Sequence, residues 1–248
     1  MRAVMTALLS LALLVGFALG PGVTAEDIRN PLESLARGID MEKNAKEVLD
    51  SDMPAVMIYN WLSTRPRMDE PEEKGWLLGT VEIEQDYSLD FACLIPENYT
   101  PATPTPVVIA LHGAVSQPEP IELKRLMQYS ELYTDLLGGV DTPYFMVVPQ
   151  GTAKSPWWTG NGLTMIRGIV RKLRSKLNVD TDRVLVTGFS DGGSGSFYVA
   201  AVEPTLVAEV WPFNGMVAVA SMGGDEVSIH KMRNRPIFAC NTTEDQLY

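Results

Sequence analysis

Residues 183–196 read RVLVTGFSDGGSGS, and no other stretch limits the fold of this chain so strongly. Val184, Leu185 and Val186 are apolar without a break, as in a short strand covered on both faces. Gly188-Phe189-Ser190-Asp191-Gly192 follows and matches G-x-S-x-G. A helix-compatible run over 194–201 comes next. The pentapeptide alone is a short pattern. A strand that turns through a glycine-flanked serine straight into a helix is the context that puts the serine at the apex of a sharp turn. Gly188 and Gly192 allow that turn, and Gly193 allows the helix to lie close against the sheet.

The stretch sits inside an alternating pattern. Residues 107–111 and 144–148 are continuous apolar runs, and 207–213 and 236–240 are two more short strand candidates. Between them, 121–137 carries Leu123, Leu126, Met127, Leu132 and Leu136 near helical spacing. Leu163, Ile166, Val170, Leu173 and Leu177 form one helical stripe, with Arg171, Lys172, Arg174 and Lys176 as a solvated face. Strand, helix, strand, helix means an α/β fold with a mostly parallel sheet and right-handed crossovers. An antiparallel hairpin precedes it: Val81, Ile83, Leu89, Phe91 and Cys93 alternate with polar neighbours around a turn at Gln85-Asp86. Four prolines in 96–106 keep that segment out of a central strand.

Upstream, 26–50 is helix-prone, with Leu32, Leu35 and Ile39 on one face and Glu42–Lys46 as an i,i+4 pair; 65–74 reads as a linker. The first residues have a positive start, an apolar run from Ala3 to Gly20 and small residues ending at Ala25. They read as a secretory leader, with a membrane anchor as the alternative. The expected organisation is a leader over 1–25, a helical arm and linker over 26–75, and an α/β domain over 76–248. A secreted or periplasmic location follows, with no stable membrane span once the leader is removed. The net charge of −11 argues against nucleic-acid binding. Cys93 and Cys240 lie in apolar strand-like runs and are expected to be buried free thiols rather than a disulfide.

A serine hydroxyl becomes a useful nucleophile only when a base takes its proton and donors stabilise the oxyanion. Ser190 is the candidate nucleophile, the alternative being an inert serine in a tight turn. The backbone N–H of Asp191, at a helix start, is one candidate oxyanion donor. The second is expected from the loop after the 107–111 strand, Leu111-His112-Gly113-Ala114: the N–H of Ala114, or else that of Gly113. His112 is read as fixing that loop by hydrogen bonds and not as the base. No P-loop, zinc pattern or dinucleotide fingerprint is present, and the chemistry needs no cofactor or metal.

The order LHGA, VVPQG, WW, VDTDRVLVTGFSDGGSGS and a late strand followed by TTED resembles an α/β-hydrolase-fold esterase. It resembles in particular the secreted polyhydroxybutyrate-depolymerase and feruloyl-esterase-like group, over about residues 76–248. The resemblance implies an ester substrate, small or polymeric, and puts the nucleophile at Ser190. It puts the acid at Asp245 in the turn 241–245, with Glu244 as substitute or an exposed acidic turn as alternative. The group's usual His-Gly is replaced here by Asn241-Thr242. It also implies that Trp157-Trp158 shapes the cleft, unless the pair packs beneath the loop. The fold's order is serine, acid, histidine. His112 and His230 both precede Asp245, so the expectation is an α/β-hydrolase fold C-terminally truncated before its last strand and base, nearly inactive as given. Two other readings stand beside a serine esterase: a peptidase of the prolyl-oligopeptidase type, and a non-catalytic exported binding domain. The sequence leaves the oligomeric state unread.

Overall fold

The computed structural model describes residues 29–37, 39–51, 53–63, 68, 70–138 and 142–245. The expected leader lies outside these residues. The chain divides into two compact units, Met1–Pro66 and Arg67–Tyr248.

The first unit contains helices α1 (Arg29–Ala36), α2 (Met41–Leu49) and α3 (Ala55–Ser63). Leu32 and Val48 are buried together, with Leu35, Met53 and Ile58 against them. Ile39 leaves the face it shares with Leu32 and Leu35 in the sequence pattern. Helix α1 ends at Ala36, the chain reverses through Asp40 at φ 41°, and Ile39 is exposed. The i,i+4 pairs among the described residues here are Arg29–Glu33 at 3.0 Å and Lys43–Glu47 at 4.0 Å, not Glu42–Lys46.

The second unit is built on a six-stranded sheet in the order β1-β2-β4-β3-β5-β6. Strands β1 (Gly75–Glu84) and β2 (Tyr87–Ile95) form the antiparallel hairpin, turning through Asp86 at φ 61°. The alternating residues Val81, Ile83, Leu89, Phe91 and Cys93 are all buried. Strand β2 joins β4 (Phe145–Pro149) antiparallel; β4, β3 (Thr105–Leu111), β5 (Val179–Phe189) and β6 (Glu209–Phe213) are parallel. All of β4 is buried, and β3 nearly so, which is why their sequences are apolar without alternation.

Helix α6 (Gly160–Lys176) starts where the Thr159 hydroxyl accepts from the Gly162 N–H at 3.3 Å. It buries Leu163, Ile166, Val170 and Leu173, as the stripe requires, along with Met165 and Ile169. Helix α7 (Asp191–Val202) is buried from Gly192 to Ala201, so its residues are small or apolar on every side.

Two expectations change. Residues 121–137 form two short helices, α4 (Leu123–Tyr129) and α5 (Glu131–Leu136). The Ser130 hydroxyl turns back to the Met127 carbonyl at 2.7 Å, competing with continuation of the helix. The break shifts the phase: Tyr133 is buried, whereas Leu132 and Leu136 are exposed. The late strand 236–240 adjoins the outer side of β6 through two isolated parallel bridges, Val210↔Ile237 and Phe213↔Cys240. Cys240 is consequently exposed, contrary to the expected buried thiol, while Cys93 is buried; both are free. Burial pushes the Cys93 thiol up to about 12. Helix α8 (Val217–Ala220) and a 3-10 turn (Ile229–Met232) lie between β6 and this segment. Among the described residues no helix is long and apolar enough to cross a membrane.

Candidate active site

Ser190 stands between β5 and α7 with φ 58° and ψ −120°, a backbone region that L-residues rarely adopt. Such a conformation costs about 1–3 kcal/mol and persists only where the surroundings over-determine it. Here they do. The Ser190 N–H donates to the Phe213 carbonyl at the end of β6, 3.0 Å away, and its own carbonyl accepts from the Ser194 N–H at 3.0 Å in the first turn of α7. The flanking glycines serve close approach rather than positive φ. A Cβ at Gly192 would lie 1.9 Å from the Leu111 carbonyl oxygen, and one at Gly188 2.6 Å from the same atom. A Cβ at Gly193 would lie 2.5 Å from the Phe213 oxygen. The serine takes the strained conformation itself and is left half-buried.

The loop after β3 presses against it. A Cβ at Gly113 would lie 3.3 Å from the Ser190 Cβ. His112 is buried beneath, and both its ring nitrogens are used. The Gly151 N–H donates to Nε2 at 2.9 Å, and Nδ1 lies 2.6 Å from the Gly113 carbonyl. Nε2 must therefore be unprotonated and Nδ1 the donor. Burial lowers the imidazole's pKa, against the raising effects of the Gly113 carbonyl and the Asp191 charge. The His112 carbonyl accepts from Trp157 Nε1–H at 2.7 Å. His112 is thus an anchor of the loop, with no nitrogen to spare for proton transfer. Trp157 is fully buried beside it; Trp158 is half-buried.

Ala114, next in the loop, has φ 55° and is exposed, and its N–H meets no acceptor among the described residues. The Val115 N–H donates to Asp191 Oδ2 at 3.0 Å. Ala114 and Asp191, the two expected oxyanion donors, thereby belong to segments bonded to each other next to Ser190.

On the other side, Asn214 follows β6 at φ 44°. Its N–H donates to the Cys240 carbonyl at 2.8 Å and its Nδ2 to Asp245 Oδ2. Asn241 Nδ2 reaches the Gly215 carbonyl at 3.2 Å. The turn bearing Asp245 is in this way tied to the residue after Phe213, whose carbonyl holds Ser190. Glu244 is exposed, and His230 is exposed on the 3-10 turn. Sequence reasoning missed Asn214, although Asn-Gly at 214–215 is itself a turn signal. It also missed the side-chain role of Asp191 and the hydroxyl of Ser194, which accepts from the Met216 N–H at 3.0 Å. A groove of about 580 Å³ lies elsewhere, between the end of β1 and α6; Glu82, Arg167 and Arg171 line it and no residue of the elbow does.

The Esterase family model matches residues 82–239, more than half of the chain, from within β1 to the segment beside β6. The chain belongs to the esterase family. The bifunctional acetylxylan esterase/xylanase XynS20E of Neocallimastix patriciarum is 26% identical over 136 residues, 53% of this chain and 19% of that protein. The chain therefore spans about a fifth of that relative's length. Among solved structures, a thermostable esterase aligns with TM-score 0.54 and 21% identity over 69% of this chain and 47% of its own. LpqC, a poly(3-hydroxybutyrate) depolymerase from Bordetella parapertussis, aligns with TM-score 0.52 and 14% identity over 70% and 67%. At these identities the likeness is one of fold. The chain has the α/β-hydrolase fold, with a mostly parallel sheet and an antiparallel hairpin at its start.

Proposed function

We propose that this esterase cleaves carboxylic esters through an acyl-enzyme formed on Ser190. The observation that carries the reading is the strained Ser190 backbone, φ 58°, with the loop of Gly113 and Ala114 against its side chain. A strained serine at a strand–helix apex exposes its Oγ beside backbone donors. In this reading Oγ attacks the ester carbonyl, and the N–H groups of Ala114 and Asp191 receive the developing oxyanion. Each such donor contributes about 10²–10³ in rate. Asp245, held by Asn214, is the acid that would orient and stabilise a protonated base. His112 is not offered as that base, since both its nitrogens are engaged. Acetylxylan esterase and poly(3-hydroxybutyrate) depolymerase, the activities that name two of the similar proteins, are both ester cleavages, which supports the substrate class.

The test uses the protein expressed from its complete reading frame and short-chain nitrophenyl esters. Ser190→Ala is expected to lower kcat by about 10⁴-fold or more; hydrolysis at the parent rate would remove Ser190 from the mechanism. The proposal includes export, on the strength of the leader pattern in residues 1–25. N-terminal sequencing of the mature protein is expected to begin at Glu26, and a retained Met1 in the exported protein counts against it.

A further inference from the structure

We propose that the Asp191 side chain is a positioning residue, a clamp that holds the oxyanion loop in its working conformation through the Val115 N–H. The proposal rests on Ser190 as nucleophile and deepens that reading.

Ala114 is in the left-handed region at φ 55°, with no glycine to make that conformation free. Its φ, with the ψ of Gly113, sets the direction of the Gly113–Ala114 peptide. A flip of that peptide would relieve Ala114 and reverse the direction of its N–H, the group proposed as an oxyanion donor. Something must therefore hold the loop. One side is held by His112, which is bonded to Gly113, Gly151 and Trp157. The other is held by the Val115 N–H bond to Asp191 Oδ2, at 3.0 Å, across 76 positions of sequence. Ala114 lies between these two holds.

The electrostatics make this use of a carboxylate informative. A negative charge beside a site that must stabilise an oxyanion acts against catalysis. A favourable interaction with the α7 N-terminus accounts for an acid at this position, but not for its bond to the loop. If the side chain works as an acceptor, an uncharged acceptor of the same shape does the same work without the opposing charge. Asparagine supplies one.

The test uses the protein from its complete reading frame, nitrophenyl esters, and a trifluoromethyl ketone as the probe that forms a tetrahedral adduct. Asp191→Ala is expected to lower kcat about 100-fold, the scale of a misplaced catalytic group, with KM changed less than about twofold if ground-state binding is untouched. Affinity for the ketone should fall in step with kcat/KM. Asp191→Asn, which keeps an acceptor for the Val115 N–H, is expected to rescue kcat from the Asp191→Ala level to within about tenfold of the parent. Full kcat in Asp191→Ala, with Ser190→Ala inactive, overturns the clamp and leaves the nucleophile standing. An Asp191→Asn as slow as Asp191→Ala also overturns it, because charge and not the acceptor would then be what matters. If Asp191→Ala does not fold, Asp191→Asn decides alone: a loss beyond tenfold sinks the proposal. Activity in Ser190→Ala overturns the nucleophile and the clamp with it.

Discussion

The loop after β3 lies against Ser190, and the segment after β6 continues from the Phe213 carbonyl that holds it, but the two are secured differently. The first is tied mainly from beneath, by the buried His112 and Trp157. His112 bonds to Gly113 and Gly151, Trp157 bonds to the His112 carbonyl, and Asp191 bonds to Val115. The second is tied along the rim. Its segment 236–240 pairs with the outer side of β6 and with Asn214 through four backbone hydrogen bonds, and Cys240, Phe238 and the turn 241–244 are exposed. Buried hydrogen bonds that cannot be replaced by water are costly to lose; exposed ones are not. The Ala114 side should therefore be linked to the stability of the whole fold. The Asp245 side should be able to change with little effect on folding.

Gly192→Ala is the strongest way to break the first side. The added Cβ would lie 1.9 Å from the Leu111 carbonyl oxygen, so α7 and β3 must separate. The expected loss exceeds about 3 kcal/mol, the upper range for overpacking a close-packed site. Denaturant unfolding followed by circular dichroism measures it, and a loss under about 1 kcal/mol would mean that the contact yields easily. His112→Gln is the next test. It removes an imidazole buried in its neutral form and should cost about 1–3 kcal/mol. It also carries a pH signature. The folded imidazole has a pKa below the usual 6.5, with burial the main cause. As pH falls, the unfolded chain takes up this proton first. The stabilisation is therefore complete above 6.5 and is lost as pH falls through and below it. Unfolding midpoints from pH 8 to pH 5 should show this decline in the parent and a weaker one in the variant. Equal slopes would place the pH dependence in other groups.

The same division separates what could be read in the sequence from what could not. The hairpin, the continuous apolar strands, the α6 stripe and the glycine-flanked serine are local patterns, set by periodicity and by the steric needs of one turn. The Ser130 break is local too, but a single hydroxyl choosing the Met127 carbonyl leaves the leucine spacing intact on paper. Asp191–Val115 and Asn214–Asp245 join residues far apart in sequence, and periodicity does not reveal which side chains meet. The exposure of Cys240 had a comparable cause. An apolar strand pattern implies burial, but this segment lies along the outer side of β6, where Phe238 and Cys240 are exposed.

Asn214→Gly gives the smallest effect on stability and the clearest reading of the acid side. Asn214 is at φ 44°, a conformation that glycine adopts freely, so the substitution removes the side chain without straining the backbone. The N–H bond to the Cys240 carbonyl is a backbone bond and survives. Only the Nδ2 bond to Asp245 is lost. Because Asp245 is only partly buried, water can replace that donor, and the expected stability change is below about 1 kcal/mol. If Asp245 is the acid of the mechanism, kcat should still fall about tenfold, because its carboxylate is no longer held in one orientation. Asn214→Ala is the control: it loses the same bond and adds left-handed strain, so it should be less stable than Asn214→Gly at similar kcat. Combining Asn214→Gly with Asp245→Ala decides whether the effect runs through Asp245. In that background the Asn214 change should be silent. A tenfold effect that persists without Asp245 would assign Asn214 a direct role near Ser190, through the Phe213 carbonyl that precedes it.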